Sequence, residues 1–293
     1  MTQKNNQASF IGLGAVVLWA LLALITAFNN YIPAFQLLGS SFFVATIVGV
    51  IYMLLTKQSF KIFLKLKWYV WLLGIYGLFF YHLSYFLALR YAPPIEANLI
   101  NALWPLFIVL GSVLVLKAGL RWWHIIGALL GLAGVVNVSL ASGISSFNWD
   151  YIWGYGFALA CAFIWSSYSL LSSKLPNIPT AAVTGFCFAT SILAFICHYL
   201  FEQTIWPQTT FLWAMLALLG AGPVGAAFYL WDYGMKNGDI RSLGAASYLS
   251  PIFATVFLAM AGFGELTTTI IISCILVVGG AVLAAKDLFS TKK

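Results

Sequence analysis

The chain has 293 residues, 62% of them hydrophobic and only 7% charged, where a soluble domain carries about 25% charged residues. So few charges cannot solvate a surface in water, which excludes a soluble enzyme or soluble binding module and makes lipid the main solvent. The net charge of +7 must then be read span by span, because on a membrane protein it reports orientation before it reports any nucleic-acid partner.

The apolar runs are about 20 residues long and apolar on every face, which is the pattern of membrane-spanning helices and not the roughly ten-residue alternation of a β-barrel. The fold class is all-α and polytopic. Ten spans fit, near residues 10–28, 34–55, 68–90, 94–117, 122–140, 151–174, 179–201, 209–235, 240–262 and 267–286. The first run is long for a leader core and lacks a small-residue cleavage site, so it reads as a span. It carries Trp19 near its middle, away from the interface where membrane tryptophans usually sit.

The second and third spans are joined by a lysine-bearing segment, Lys57 to Lys67. The third span holds "FYHLSYF", in which Tyr81 and Tyr85 are one turn apart with His82 beside them. Two phenols and an imidazole on about one face suit a polar cavity, although a lone span histidine is also a common packing group. Pro93-Pro94 then opens the fourth span, where a missing N–H is harmless. Glu96 follows in the first turn, an interfacial acid at the positive end of the helix dipole. Asn101 lies seven residues inside, roughly 10 Å deep at 1.5 Å per residue. It shares a stripe with Ala97 and Trp104. A buried amide needs partners that lipid cannot give, so it faces either a neighbouring helix or a cavity. Pro105 frees the carbonyl of Asn101.

In the fifth span Gly127, Gly131 and Gly134 form a close-packing face. The sixth span lines up Trp165, Tyr168, Ser169 and Ser172. In the eighth, Asp232 and Lys236 stand one turn apart and read as a local ion pair near the helix end. Ser247 and Tyr248 lead into Pro251 of the ninth span, whose missing N–H frees the Ser247 carbonyl. Cys161, Cys187, Cys197 and Cys274 all lie inside apolar runs and read as small hydrophobes rather than a disulfide framework.

Ten spans return both termini to one face. Thirteen of the fourteen Lys and Arg fall on that face and only Arg90 on the other, so both termini are expected in the cytoplasm. A gapless shift of 146 residues lays Trp19 on Trp165, Pro33 on Pro179, Gly39 on Gly185, Gly74 on Gly220 and Pro105 on Pro251. Residues 1–145 and 146–293 therefore read as two copies of a five-helix unit. Five is odd, so the second copy is inverted, a construction recurrent in secondary transporters. No phosphate loop, metal-ligand spacing or nucleophile constellation is present, so no enzyme, cofactor or metal is expected. No span has the continuous polar stripe of a wide pore.

The runs "IGLGAVVLW" ending at Trp19, "IEANLINALWP" ending at Pro105, "AFIWSSY" ending at Tyr168 and "GDIRSLGAASYLSP" ending at Pro251 resemble the drug/metabolite transporter superfamily. The match is to its ten-helix form, built of two EamA-type repeats, over nearly the whole chain. The resemblance implies export of amino acids, aromatic ones especially, from a bacterial cytoplasmic membrane. Its partners would be a small amino-acid substrate and the lipid bilayer, with the chain a monomer. A nucleoside or sugar-type solute is the alternative cargo. The candidate substrate-binding residues are Trp19, Tyr81, His82, Tyr85, Asn101, Trp104, Trp165, Tyr168, Ser247 and Tyr248.

Overall fold

The computed structural model describes residues 3–104, 106, 107, 111, 122–141, 149–172, 175, 178–237, 249–284 and 286, and among them every regular element is helical. Helix α1 is Gln3–Phe28, α2 Ala34–Leu55, α3 the short Ile62–Lys65, α4 Trp68–Ile75, α5 Tyr81–Tyr91 and α6 Pro94–Asn101. Helix α7 is Trp122–Ala141, α8 Ile152–Ser172, α9 Ala182–Phe201, α10 Thr210–Ala221, α11 Ala227–Asn237, α12 Leu249–Met260 and α13 Thr268–Ala284. Six stretches are long and apolar enough to cross a membrane: Phe10–Phe28, Ala34–Leu55, Trp68–Tyr91, Trp149–Ser172, Ala182–Phe201 and Thr210–Gly234. Helices α12 and α13 are apolar but shorter in their described parts.

The third and eighth spans are not single α-helices. Each is broken by one wide π turn, Tyr76–Phe80 between α4 and α5 and Gly222–Ala226 between α10 and α11. The two turns stand 146 residues apart, the same offset that relates the tryptophans. Pro223 accounts for the second turn in part, since it lacks the N–H that an α ladder would need. At the first, Gly77 lets the chain approach the Tyr168 ring, which a Cβ there would strike.

The helix pairing repeats under the same offset. Helix α1 packs on α11 and α12, and its counterpart α8 packs on α5 and α6. Helix α2 packs on α10 as α9 packs on α4, while α2 with α9 and α7 with α13 pair counterparts directly. The glycine face of the fifth span is used in this last pair. A Cβ on Gly280 would lie 2.5 Å from the Gly127 carbonyl oxygen and 2.7 Å from the Gly131 nitrogen, so the two backbones touch. Asn137 fastens the pair by donating to the Thr269 carbonyl at 3.0 Å and the Ser273 hydroxyl at 2.9 Å.

The connections that follow α1, α5 and α9 are tied to neighbouring segments by hydrogen bonds. Arg90 donates to the carbonyls of Asn30, at 3.1 Å, and Ile32, while Asn30 donates to the Leu89 carbonyl at 3.1 Å. Pro33 offers α2 no side-chain cap. Glu202 takes that role from the second half, accepting from the Phe35 and Gln36 nitrogens at 3.0 Å each. The Gln36 amide exchanges two hydrogen bonds with the Ile205 backbone, both at 2.9 Å. All four cysteines are free.

Candidate functional site

The site sits where both halves supply aromatic side chains. Helix α5 begins just after its π turn, and Tyr81, His82 and Tyr85 are all buried. His82 donates from Nδ1 to the Leu78 carbonyl at 2.9 Å, which leaves Nε2 as an acceptor in a neutral ring. Tyr81 and Tyr85 stack with centroids 6.1 Å apart and planes 14° apart.

Asn101 ends the regular part of α6. The chain turns at Ala102–Leu103, with the Leu103 nitrogen donating to the Ile100 carbonyl at 3.1 Å, and helix resumes at Trp104. The interruption lies where the sequence places a freed Asn101 carbonyl, although Pro105 itself is outside the described residues. Asn101 donates from Nδ2 to the Tyr81 hydroxyl at 3.3 Å, and Tyr85 donates to Asn98 Oδ1 at 3.4 Å. Among the described residues, Asn101 Oδ1 and Asn98 Nδ2 are buried with no hydrogen-bond partner. One free acceptor and one free donor thus stand one turn apart in an apolar surrounding, where each unmade bond is costly.

These groups line a cavity of about 50 Å³. Seven of the sequence-predicted residues meet there: Trp19, Tyr81, His82, Tyr85, Asn101, Trp104 and Trp165. Leu22, Asn98, Ala102, Phe228, Ser250 and Pro251 complete the wall. Tyr168 is placed elsewhere. It packs on Trp165 at 5.4 Å but lines a second, larger cavity of about 430 Å³. Ser247 and Tyr248 lie outside the described residues.

The larger cavity, the vestibule, lies at the Lys67 end of α4. Val70 and Leu73 of α4, Ser172, Leu175, Ile178 and Asp232 form its walls. Trp165 and Phe228 belong to both cavities. With Trp19 they form a closed aromatic layer, its centroids 5.8 to 6.2 Å apart. Tyr81 backs that layer at 5.2 Å from Trp165. Asp232, expected to pair with Lys236, is half-buried on the vestibule wall, and the Lys236 side chain lies outside the described residues.

Glu96, expected as an interfacial helix-start acid, is buried and accepts a hydrogen bond from the Tyr155 hydroxyl of α8. Gly154 packs directly on Ala92 in the same seam. Among the described residues no group of three or more His, Cys, Asp or Glu could hold a metal ion.

Asn98 and Phe228 were missed as cavity residues, and both carried a signal. Asn98 is one turn from Asn101, and Phe228 falls on His82 under the 146-residue shift.

The EamA-like transporter family matches this chain twice, over residues 7–140 and 152–285. The chain is 45% identical over 282 residues to a protein named aromatic amino acid exporter YddG from Ancylobacter novellus, covering 96% of this chain and 98% of that one. It is 25% identical to the protein of the same name from Escherichia coli K12, over 95% of this chain and 97% of that one. A crystal structure of a protein 43% identical in sequence superposes with a TM-score of 0.77 over 98% of this chain. The repeated match and the 45% relative establish what the helices and the buried aromatic site lead to: this multi-pass membrane protein, a transporter and not an enzyme, belongs to the EamA-like transporter family.

Proposed function

We propose that the protein exports amino acids, aromatic and other neutral ones, through the small aromatic-lined cavity by alternating access. The observation that carries this reading is the pair of unmet polar atoms on α6. Asn101 Oδ1 can accept from an ammonium and Asn98 Nδ2 can donate to a carboxylate. They stand among rings that can stack a side chain of many shapes. The chain's likeness to proteins named aromatic amino acid exporter agrees with that chemistry.

In this reading residues 1–145 and 146–293 are inverted five-helix halves of a ten-span monomer. The reciprocal helix pairing and the matched π turns support that division. Two such halves can exchange roles at similar energy, and the site between them near the midplane is then offered to each face in turn. The basic asymmetry supports a reading with both termini in the cytoplasm of a bacterial cell. The vestibule therefore opens inward, while the Arg90, Glu202 and Tyr155–Glu96 contacts close the outer face. A cavity of about 50 Å³ has room for a few waters. Substrate enters it only when the aromatic layer parts.

The test is flux of radiolabelled amino acids in proteoliposomes, with and without a proton gradient. Uptake of phenylalanine and tryptophan above protein-free vesicles is expected. Flux of nucleosides or sugars with none of any amino acid would overturn the assignment.

A further inference from the structure

We propose that the strap joining the second and third spans, Thr56 to Trp68, is a docking surface for anionic phospholipid headgroups. Lys57, Lys61 and Lys65 meet the phosphates, and Phe60, Leu64 and Trp68 enter the bilayer interface beside them. The proposal needs only that the chain crosses a membrane, and it stands whatever the cargo is.

The strap lies at a membrane surface because one span, Ala34–Leu55, ends where it starts and the next, Trp68–Tyr91, begins where it stops. Its route is fixed by the backbone. Helix α2 closes with the Lys57 nitrogen donating to the Leu54 carbonyl at 3.2 Å and the Gln58 nitrogen to the Met53 carbonyl at 2.8 Å. Lys57 thereby takes a φ of 53°, the left-handed position after a helix that glycine usually fills. Among the described residues no other non-glycine residue has a positive φ. A lysine there costs backbone energy that glycine would not, and an outlier of this kind points to a use for the side chain. From Ser59 the chain makes a helical turn into α3, with the Ile62 and Phe63 nitrogens donating to the Ser59 and Phe60 carbonyls at 3.2 Å each. Helical spacing sets Phe60 beside Leu64 and Lys61 beside Lys65. Phe63 anchors the strap to α9: its ring packs on Trp71 at 6.3 Å, and a Cβ on Gly185 would strike it at 2.8 Å. Trp71 packs in turn on Phe186 of the vestibule wall at 5.7 Å.

The outward side carries two chemistries in neighbouring rows. Leu64 is 88% exposed and Trp68 73%, and Phe60, Lys57, Lys61 and Lys65 are exposed as well. Residues 56–68 contain no Asp or Glu. Among the described residues no carboxylate pairs with Lys57, Lys61 or Lys65, while Lys67 lies over the Tyr69 ring at 5.8 Å. Water suits the ammoniums but not Leu64 and Trp68, and hydrocarbon suits the reverse. The headgroup layer suits both, because the acyl boundary takes apolar side chains while long lysine stems carry their charges out to the phosphates. A free phosphate ion would leave the apolar row in water. A zwitterionic headgroup would bring its own cation up to three lysines. An anionic phospholipid meets both rows, and each lysine near the surface adds to its attraction.

Trp68 is a local reporter in the purified full chain, reconstituted in phosphatidylcholine vesicles with rising amounts of a lipid brominated in its acyl chains. Its signal is the wild-type fluorescence less that of W68F. Quenching by brominated phosphatidylglycerol and by brominated phosphatidylcholine gives the preference of the strap between the two headgroups. Wild type should prefer phosphatidylglycerol about fivefold or more at low salt, and much less at high salt. K61Q/K65Q should bring the preference to within about twofold, since one lysine near an anionic surface is worth about fivefold. K57G should lower it several-fold and unfold at no lower temperature than wild type, because it removes a charge and relaxes the turn. K286Q, which removes a lysine stacked over Trp122 and Trp123 of α7, should leave it unchanged. A wild-type preference below about twofold, or an undiminished preference in K61Q/K65Q or in K57G, overturns the docking surface. An equal loss in K286Q overturns it too, since the effect would then belong to the net charge of the whole chain. Inorganic phosphate at constant ionic strength should not displace phosphatidylglycerol; displacement would make the strap a free-anion site and overturn the lipid.

Discussion

Replacing Asn101 with alanine removes two things that the structure separates. The first is the hydrogen bond from Nδ2 to the Tyr81 hydroxyl, at 3.3 Å. Its loss leaves a buried phenol short of one partner and should lower stability by about 1–3 kcal/mol. The second is Oδ1, which has no hydrogen-bond partner among the described residues and belongs to a side chain that lines the inner cavity. If it accepts from a substrate ammonium, its loss costs about 1.5–3 kcal/mol, or roughly ten- to a hundredfold in affinity. Asn101→Asp separates the two, because it retains an acceptor and abolishes the donation to Tyr81. The measurement pairs thermal unfolding with concentration-dependent phenylalanine flux in proteoliposomes. Asn101→Ala should lose both stability and apparent affinity, and Asn101→Asp should lose mainly stability. Wild-type apparent affinity in Asn101→Ala would refute the reasoning, since an acceptor that contacts substrate cannot be removed without cost.

Trp104→Ala should reduce phenylalanine flux about two- to tenfold more than alanine flux, because one stacking face is worth about 0.5–1.5 kcal/mol; competition between the two labelled substrates reads the ratio. Gly280→Val should lower the unfolding temperature by several degrees, since its Cβ would meet the Gly127 carbonyl oxygen at 2.5 Å. Gly279→Ala, where a Cβ meets nothing within 4 Å, should not, and differential scanning fluorimetry compares them. Cysteines placed in the Ser145–Asp150 segment should react with an impermeant maleimide on intact cells, and cysteines in the Lys57–Lys67 segment should not; the reverse pattern would invert the orientation.

Much of this architecture is legible in the residues because lipid imposes a simple rule. A run that crosses a membrane must satisfy its own backbone, so apolar length alone marks Ala34–Leu55 or Ala182–Phe201 as helices. Trp19 and Trp165 stand out because each sits in mid-span and one shift superimposes them. Phe228 is marked only by its alignment with His82, since phenylalanine in an apolar run faces lipid as readily as a cavity. The first π turn left no trace in composition: Tyr76–Phe80 has no proline, and one extra residue per turn does not alter an all-round apolar pattern. Glu96 was placed correctly along its helix but not around it. Its first-turn position says nothing of Tyr155, which comes from a span 59 residues away. Tyr168 is three residues beyond Trp165. That is a rise of about 4.5 Å, enough to put it on the vestibule side of the layer.

The paired π turns have a consequence that is a matter of phase. One residue turns an α-helix through about 100°, so a segment with one residue too many re-aims everything after it by roughly that angle. Tyr81, His82 and Tyr85 come directly after the first turn, and Phe228, Trp231 and Asp232 directly after the second. The direction in which both ring-bearing walls point is therefore set by a count of residues, and the same surplus is carried in each half. Deleting Gly77 would keep every aromatic side chain and swing those of α5 about a quarter turn off the inner cavity. Restoring the aim would take an added residue at the same turn, because no change of side chain downstream can alter the phase.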